Sequence, residues 1–244
     1  MTARSIPAAL TRESFVSISI AILIMLLWAL SAYASLFILP DAKTLSLVSV
    51  LAVILSRSFL HTGLFILAHD AMHGTLAPAY PRVNDWLGRI ILRVYSFLSF
   101  EQMREYHHQH HRTPGQDADP DFYPTSFWRW YGSFMQTYLK GGQGWVIFWG
   151  MSALFYPLIF WLEVPVLNAV LFWLLPQALS SWQLFYFGTY RPHKRPPGGH
   201  TNAHRANSSQ ASTLVSFLSC YHFDYHWEHH QYPHLPWYRL PSVH

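Results

Sequence analysis

A chain of 244 residues that is 51% hydrophobic, 17% aromatic and only 11% charged has too little polar surface for a soluble domain of its length and fits a membrane protein. Its formal charge of +4 comes from scattered basic residues without a groove-reading motif, which gives no reason to invoke nucleic acid. The single cysteine, Cys220, excludes an internal disulfide and a cysteine-based zinc or iron–sulfur site, and reads as a small buried hydrophobe.

The chain opens on a short polar arm, Met1 to Glu13, with Arg4 and Arg12. The charge-free run from Ser14 to Pro40 is too long for the core of a signal peptide and long enough to cross a bilayer. Asp41 and Lys43 mark a tight turn, and a second apolar run extends from Leu45 to about Ala68. Arg57 interrupts it, and because a charge inside a span is costly it is expected to snorkel, pair with a carboxylate or line a polar cavity; His61, four residues on, favours the cavity. Pro78 to Phe100 reads as an amphipathic helix in the membrane interface, and Glu101 to Arg112 as a polar helix closed by Pro114 and Gly115. Asp117, Asp119 and Asp121, broken by Pro120, make a turn-rich loop. Gly141 to Leu162 and Val166 to Tyr190 are two further charge-free runs about the turn Glu163-Val164-Pro165, with a kink expected at Pro176. Arg191 to His200 is rich in proline and glycine and reads as a loop.

These elements predict one all-α integral membrane domain over residues 1–244, with four transmembrane helices in two hairpins and a histidine-rich helical cap. Nearly all Lys and Arg residues lie in the N-terminal arm, between Arg82 and Lys140, and after Arg191, whereas the hairpin turns hold only Lys43. The positive-inside rule then puts both termini and the cap on the cytoplasmic side.

Histidine carries the chemistry. His69 and His73 stand four apart at the end of the second helix, and His107, His110 and His111 repeat the H-x-x-H-H spacing of His226, His229 and His230. Read as a helix, Tyr221 to His230 aims its three imidazoles at a common point, with His222 one turn earlier on the same face. Neutral imidazole is a metal ligand at neutral pH, and eight of them overfill one zinc site. Two Fe2+ ions with positions open for O2 use about eight or nine such ligands, which predicts a non-haem di-iron oxygenase. Asp70, Asp117, Asp119, Asp224 and Glu228 are candidates to offset the charge or orient ligand N–H groups, with Asp117 foremost as a catalytic residue. A metal-binding membrane transporter is the competing class, but these spans offer it few polar residues beyond Arg57, His61, Asn168 and Gln177.

His69-Asp70-Ala71-Met72-His73-Gly74, the stretch from His107 to Phe122, and Cys220 to Pro233 followed by Leu235-Pro236-Trp237 resemble the bacterial β-carotene ketolases of the membrane fatty acid desaturase and hydroxylase superfamily, over roughly Arg57 to Pro241. That resemblance implies a carotenoid taken from the bilayer, with the C4 methylene of its β-ionone rings converted to a ketone by two O2-dependent hydroxylations and loss of water. β-Carotene would pass through echinenone to canthaxanthin. It also implies an external donor such as reduced ferredoxin, with a carotenoid ring hydroxylase or a fatty acyl desaturase as alternatives on the same iron site. In the wider superfamily a further ligand precedes the third box, a place that His204 occupies here; His222, as a ligand or as a hydrogen-bond partner behind one, and His200 are the other candidates.

Overall fold

The computed structural model describes residues 7–244, and the described residues are helical with no strand. Arg4 lies outside them. α1 (Ala8–Tyr33) continues through a wide π turn at Ala34–Ile38, and α2 (Leu47–Met72) returns after a short connection, with Ser46 capping it by accepting a hydrogen bond from the Ser49 amide at 3.1 Å. α1 starts earlier than the polar arm suggested and takes in Arg12 and Glu13. Glu13 is held by the other end of the chain, accepting from the Tyr238 hydroxyl at 2.6 Å and from Arg239 at 2.7 Å.

α3 (Pro81–Ser96) is strongly amphipathic and packs on α2, while Val83 and Trp86 stay exposed on its far side. α4 (Phe100–Arg112), α5 (Phe127–Tyr138) and α6 (Gln143–Phe160) come next. α5 falls in a stretch to which the sequence assigns no element. Ala8–Ile38, Leu47–Met72 and Gln143–Phe160 are long and apolar enough to cross a membrane. α6 leaves Trp145, Phe148, Trp149 and Phe160 exposed, the surface expected of a helix whose solvent is lipid.

After Glu163, which adopts a left-handed conformation (φ 53°), α7 (Val166–Ala169), π turns at Val170–Leu174, α8 (Leu175–Phe185), π turns at Tyr186–Tyr190 and α9 (Arg191–His193) join end to end. Every junction residue keeps right-handed helical angles, so residues 166–193 form one continuous rod. The rod passes the expected boundary at Tyr190 and ends three residues later, and Pro176 sits in the first turn of α8. α10 (Thr213–Cys220) and α11 (His226–Gln231) complete the chain before a closing 3-10 turn at Trp237–Ser242.

Two polar residues inside the helices organise this packing. Asn168 accepts from the Ala42 amide at 2.8 Å and donates to the Pro40 carbonyl at 3.2 Å, tying the start of the rod to the connection between α1 and α2. Arg57 is 1% exposed and finds no carboxylate: it donates to the carbonyls of Phe172 (3.0 Å) and Trp28 (2.9 Å) and to the Ser31 hydroxyl (3.0 Å), and lies over the Trp28 ring. Buried guanidinium is tolerated here because three acceptors replace its water. His61 is likewise buried, accepting from the Trp28 indole at 3.1 Å and stacking on Tyr95.

Gly88 lets α3 lie against the first residue of α4. A methyl group there would stand 2.7 and 2.8 Å from ring carbons of Phe100, which is 1% exposed and unable to step aside. Gly88→Ala is expected to cost about 1–3 kcal/mol, seen as a thermal midpoint lowered by several degrees in detergent.

Candidate metal centre

α4 and α11 each carry an H-x-x-H-H run, and the structure sends each run to two points instead of one. On an α-helix, position i+3 lies about 60° to one side of position i and position i+4 about 40° to the other, so the last two histidines of each run diverge by about 100°. α4 therefore gives His107 and His111 to one group and His110 to the other. α11 does the converse, giving His229 to the first group and His226 and His230 to the second.

In the first group the Nε2 atoms of His73 and His107 are 2.7 Å apart, those of His107 and His111 3.1 Å, and those of His111 and His229 2.9 Å. His69 completes it, with its ring between those of His107 and His229. In the second group Nε2 of His110 is 3.1 Å from that of His230, His230 is 3.0 Å from His226, and His226 is 3.0 Å from His193. The groups touch through His111 and His230, whose rings stack at 4.2 Å. All eight histidines of the three boxes are thus brought together.

The ninth is His193, which the sequence places in a loop and does not mark as a ligand. The rod of residues 166–193 delivers it, and its Nδ1 hydrogen bonds the Arg205 carbonyl at 2.9 Å. The available signal was a histidine shortly past an apolar run, as His69 is past the run that ends at about Ala68. His204 instead hydrogen bonds the Gln231 side chain at 3.0 Å and stays partly exposed beside His230. His222 is also outside both groups, because Tyr221 and His222 adopt left-handed angles (φ 51° and 61°) and break the helix before box three begins at His226. Its Nδ1 faces the Ser216 hydroxyl at 3.0 Å. His200 contacts the His193 carbonyl at 3.3 Å, and His108 contacts that of Met72 at 2.9 Å.

Among the described carboxylates, only Asp119 hydrogen bonds a member of either group. Both its oxygens lie 2.9 Å from His110 Nδ1, and it also accepts from the amides of Gly115 (2.8 Å) and Asp121 (2.9 Å). The Asp119 amide closes a turn on the Gln116 carbonyl, which leaves Asp117 at the exposed corner while buried Asp119 faces His110. Asp70 accepts from the Trp237 amide at 3.3 Å and stands 4.0 Å from His69 Nδ1, so it anchors the C-terminal segment. Asp224 accepts from the Ser216 hydroxyl, and Glu228 pairs with His244 at 2.8 Å.

Burial, reinforced by neighbouring imidazoles, holds His107, His111, His226, His229 and His230 well below the usual histidine range. Burial also opposes charge on His110, but the Asp119 carboxylate outweighs it and leaves that ring raised. A neutral ring nitrogen carries a proton or a lone pair, never both, so the central nitrogens of each group cannot satisfy two neighbours as ordinary donors and acceptors. Buried His69 Nδ1 and Nε2 have no partner at all among the described residues. Ring nitrogens sharing one cation at about 2.1 Å stand roughly 3 Å apart when at right angles, which is the spacing seen here. Nitrogen donors, spacing and unpartnered atoms fit a metal ion in each group.

Beside the two groups lies a mainly apolar cavity of about 250 Å3, walled by side chains such as Phe65, Leu98, Phe134, Ile147 and Leu184, with Ser96, Gln177, Ser181 and Thr189 among its polar residues. His69 and His107 of the first group and His110 and His226 of the second form its floor, so one occupant reaches both. Asp121 and Tyr138 stand beside that floor, joined by a 2.5 Å hydrogen bond.

A helical membrane-type scaffold thus closes on paired histidine sets that fit metal ions beside a mainly apolar cavity. The Fatty acid desaturase family matches residues 44–244, and the chain belongs to that family. It is 38% identical over 238 residues to a β-carotene ketolase of Paracoccus sp. (strain PC1), covering 96% of this chain and 94% of that one. It is 39% identical to a zeaxanthin 4-ketolase of Chlamydomonas reinhardtii over 95% of this chain, and 40% identical to a β-carotene ketolase of Haematococcus lacustris over 80%. The chain spans 54% and 62% of the lengths of these two algal relatives.

Proposed function

We propose that the protein is a carotenoid 4-ketolase, a non-haem di-iron monooxygenase that converts the C4 methylene of a β-ionone ring to a ketone. The observation that carries this reading is the apolar cavity whose floor is shared by both histidine groups, in a chain about 40% identical to carotenoid ketolases. His69, His73, His107, His111 and His229 would hold one iron, and His110, His193, His226 and His230 the other. The pair supplies dioxygen activation with two electrons in each round.

The residues of the chain set out what the pair acts on. Phe65, Leu98, Phe134 and Leu184 exclude water and admit a hydrocarbon ring, whose allylic C4–H bonds are the weakened ones. Two rounds at the same carbon give a gem-diol that loses water to the ketone, so each keto group consumes two dioxygen molecules and four electrons.

Residues 166–193 make the fourth span in this reading, beside the three helices already long enough to cross a membrane. The ends of α2 and of the rod then meet at the histidines, and the turns joined by Asn168 lie on the opposite side. The basic residues put the histidine side in the cytoplasm. Residues 164–223 contain no Asp or Glu but carry exposed Arg191, Lys194, Arg195 and Arg205 next to His193, a surface suited to an acidic donor such as reduced ferredoxin.

Expression in a host that makes β-carotene tests the reaction. The expected extract contains 4-keto carotenoids with absorption shifted to the red by the extended conjugation. Ring-hydroxylated products with unshifted absorption would assign the chain to the hydroxylases instead.

A further inference from the structure

We propose that Asp121, held by Tyr138, is a positioning residue that retains the singly hydroxylated ring between the two oxidation rounds. This rests on the ketolase reading, and adds to it a step that the reaction needs and the histidines do not supply. A ketone forms only if the alcohol from the first round is oxidised again, yet an alcohol is more polar than the ring that entered. In an apolar cavity an unpaired hydroxyl costs about 1–3 kcal/mol, which favours departure after one round.

Asp121 is the carboxylate of that cavity wall and stands where that cost would be met. Asp121 is 7% exposed, belongs to the cavity wall, and comes within 4.8 Å of the His110 ring nitrogen and of Asp119. Its backbone is fixed on both sides: the amide donates to Asp119 at 2.9 Å and the carbonyl accepts from the Trp130 indole at 2.7 Å. Oδ1 takes the Tyr138 hydroxyl, whereas Oδ2 has no hydrogen-bond partner among the described residues. Two of the other cavity hydroxyls are engaged, Ser181 with Tyr131 and Ala178, and Tyr95 with Ser180. A buried carboxylate beside the histidine floor with one free oxygen is costly unless a polar ligand meets it, and a hydroxyl on the reacting carbon is such a ligand.

Asp119, not Asp121, holds His110, so a change at the Asp121 side chain leaves every histidine partner in place.

The test compares wild type, Asp121→Asn and Tyr138→Phe in a β-carotene-making host and in purified form. Both variants are expected to keep their metal and to raise the ratio of 4-hydroxy to 4-keto product about tenfold, the value of one hydrogen bond to a charged group. Under anaerobic conditions, where no turnover occurs, their Kd for 4-hydroxy-β-carotene, read from the carotenoid absorption, should rise about tenfold while that for β-carotene stays within about twofold. Tyr138→Phe keeps the carboxylate and serves if Asp121→Asn does not fold. An unchanged product ratio in folded, metal-loaded variants, or equal weakening for both carotenoids, overturns the proposal. A wild type that oxidises no C4 position overturns the ketolase reading itself, and this proposal with it.

Discussion

His193→Ala is expected to lower bound iron from about two to about one per chain and to reduce ketone formation by at least a hundredfold. The ring nitrogen of His193 lies 3.0 Å from that of His226, at one end of the chain of contacts that runs through His230 to His110. Removing it leaves three imidazoles around a point built for four. Loss of a partner that merely orients a ligand costs about 10–100-fold in metal affinity or activity, and loss of the ligand itself costs more. Plasma emission on purified protein and carotenoid extraction provide the two measurements. His204→Ala is the matched control, since its ring is bonded to Gln231, and it should keep its iron. Iron lost from His204→Ala and kept by His193→Ala would reverse the assignment.

Asp119→Ala should weaken metal retention about 10–100-fold at the second group and leave the first nearly unchanged. The carboxylate fixes the His110 ring at 2.9 Å and gathers the amides of Gly115 and Asp121, so its loss frees both the ligand and the loop behind it. Competition with a chelator should show one iron leaving early and one late. Two irons leaving together would mean that Asp119 acts on the whole cap instead of on His110. Asp117→Ala, at the exposed corner of the same loop, should retain both irons as wild type does.

Much of this arrangement is legible in the sequence because the underlying signals are local. Helical periodicity puts His69 and His73 on one face, apolar runs with few charges mark α1, α2 and α6, and proline and glycine close α4 near Thr113. The features that escape depend on single backbone angles. Left-handed Tyr221 and His222 break the helix expected over Tyr221 to His230, so that α11 begins only at His226 and His222 is carried away from its expected neighbours, and no feature of the residue types demands those angles. The aspartate loop is recognisable as a turn, but which carboxylate faces inward depends on the Asp119 amide bonding to Gln116, a choice that composition does not reveal. Arg57 reads as needing a carboxylate or water because backbone carbonyls from two other helices cannot be anticipated from its own segment.

The π turns at Val170–Leu174 and Tyr186–Tyr190 make the number of residues before His193 matter as much as their kind. Each π turn holds about one residue more than an α turn and rotates the downstream part of the rod by roughly 100° relative to an unbroken α-helix. The second is pinned by Phe223, whose ring carbons stand 2.5 and 2.6 Å from where a side chain on Gly188 would begin. His193 therefore faces the cap only when both extra residues are counted in. Among relatives of this chain, a one-residue gap between Pro165 and His193 would be a change of phase, not of loop length, and would have to be matched by a compensating insertion in the same rod.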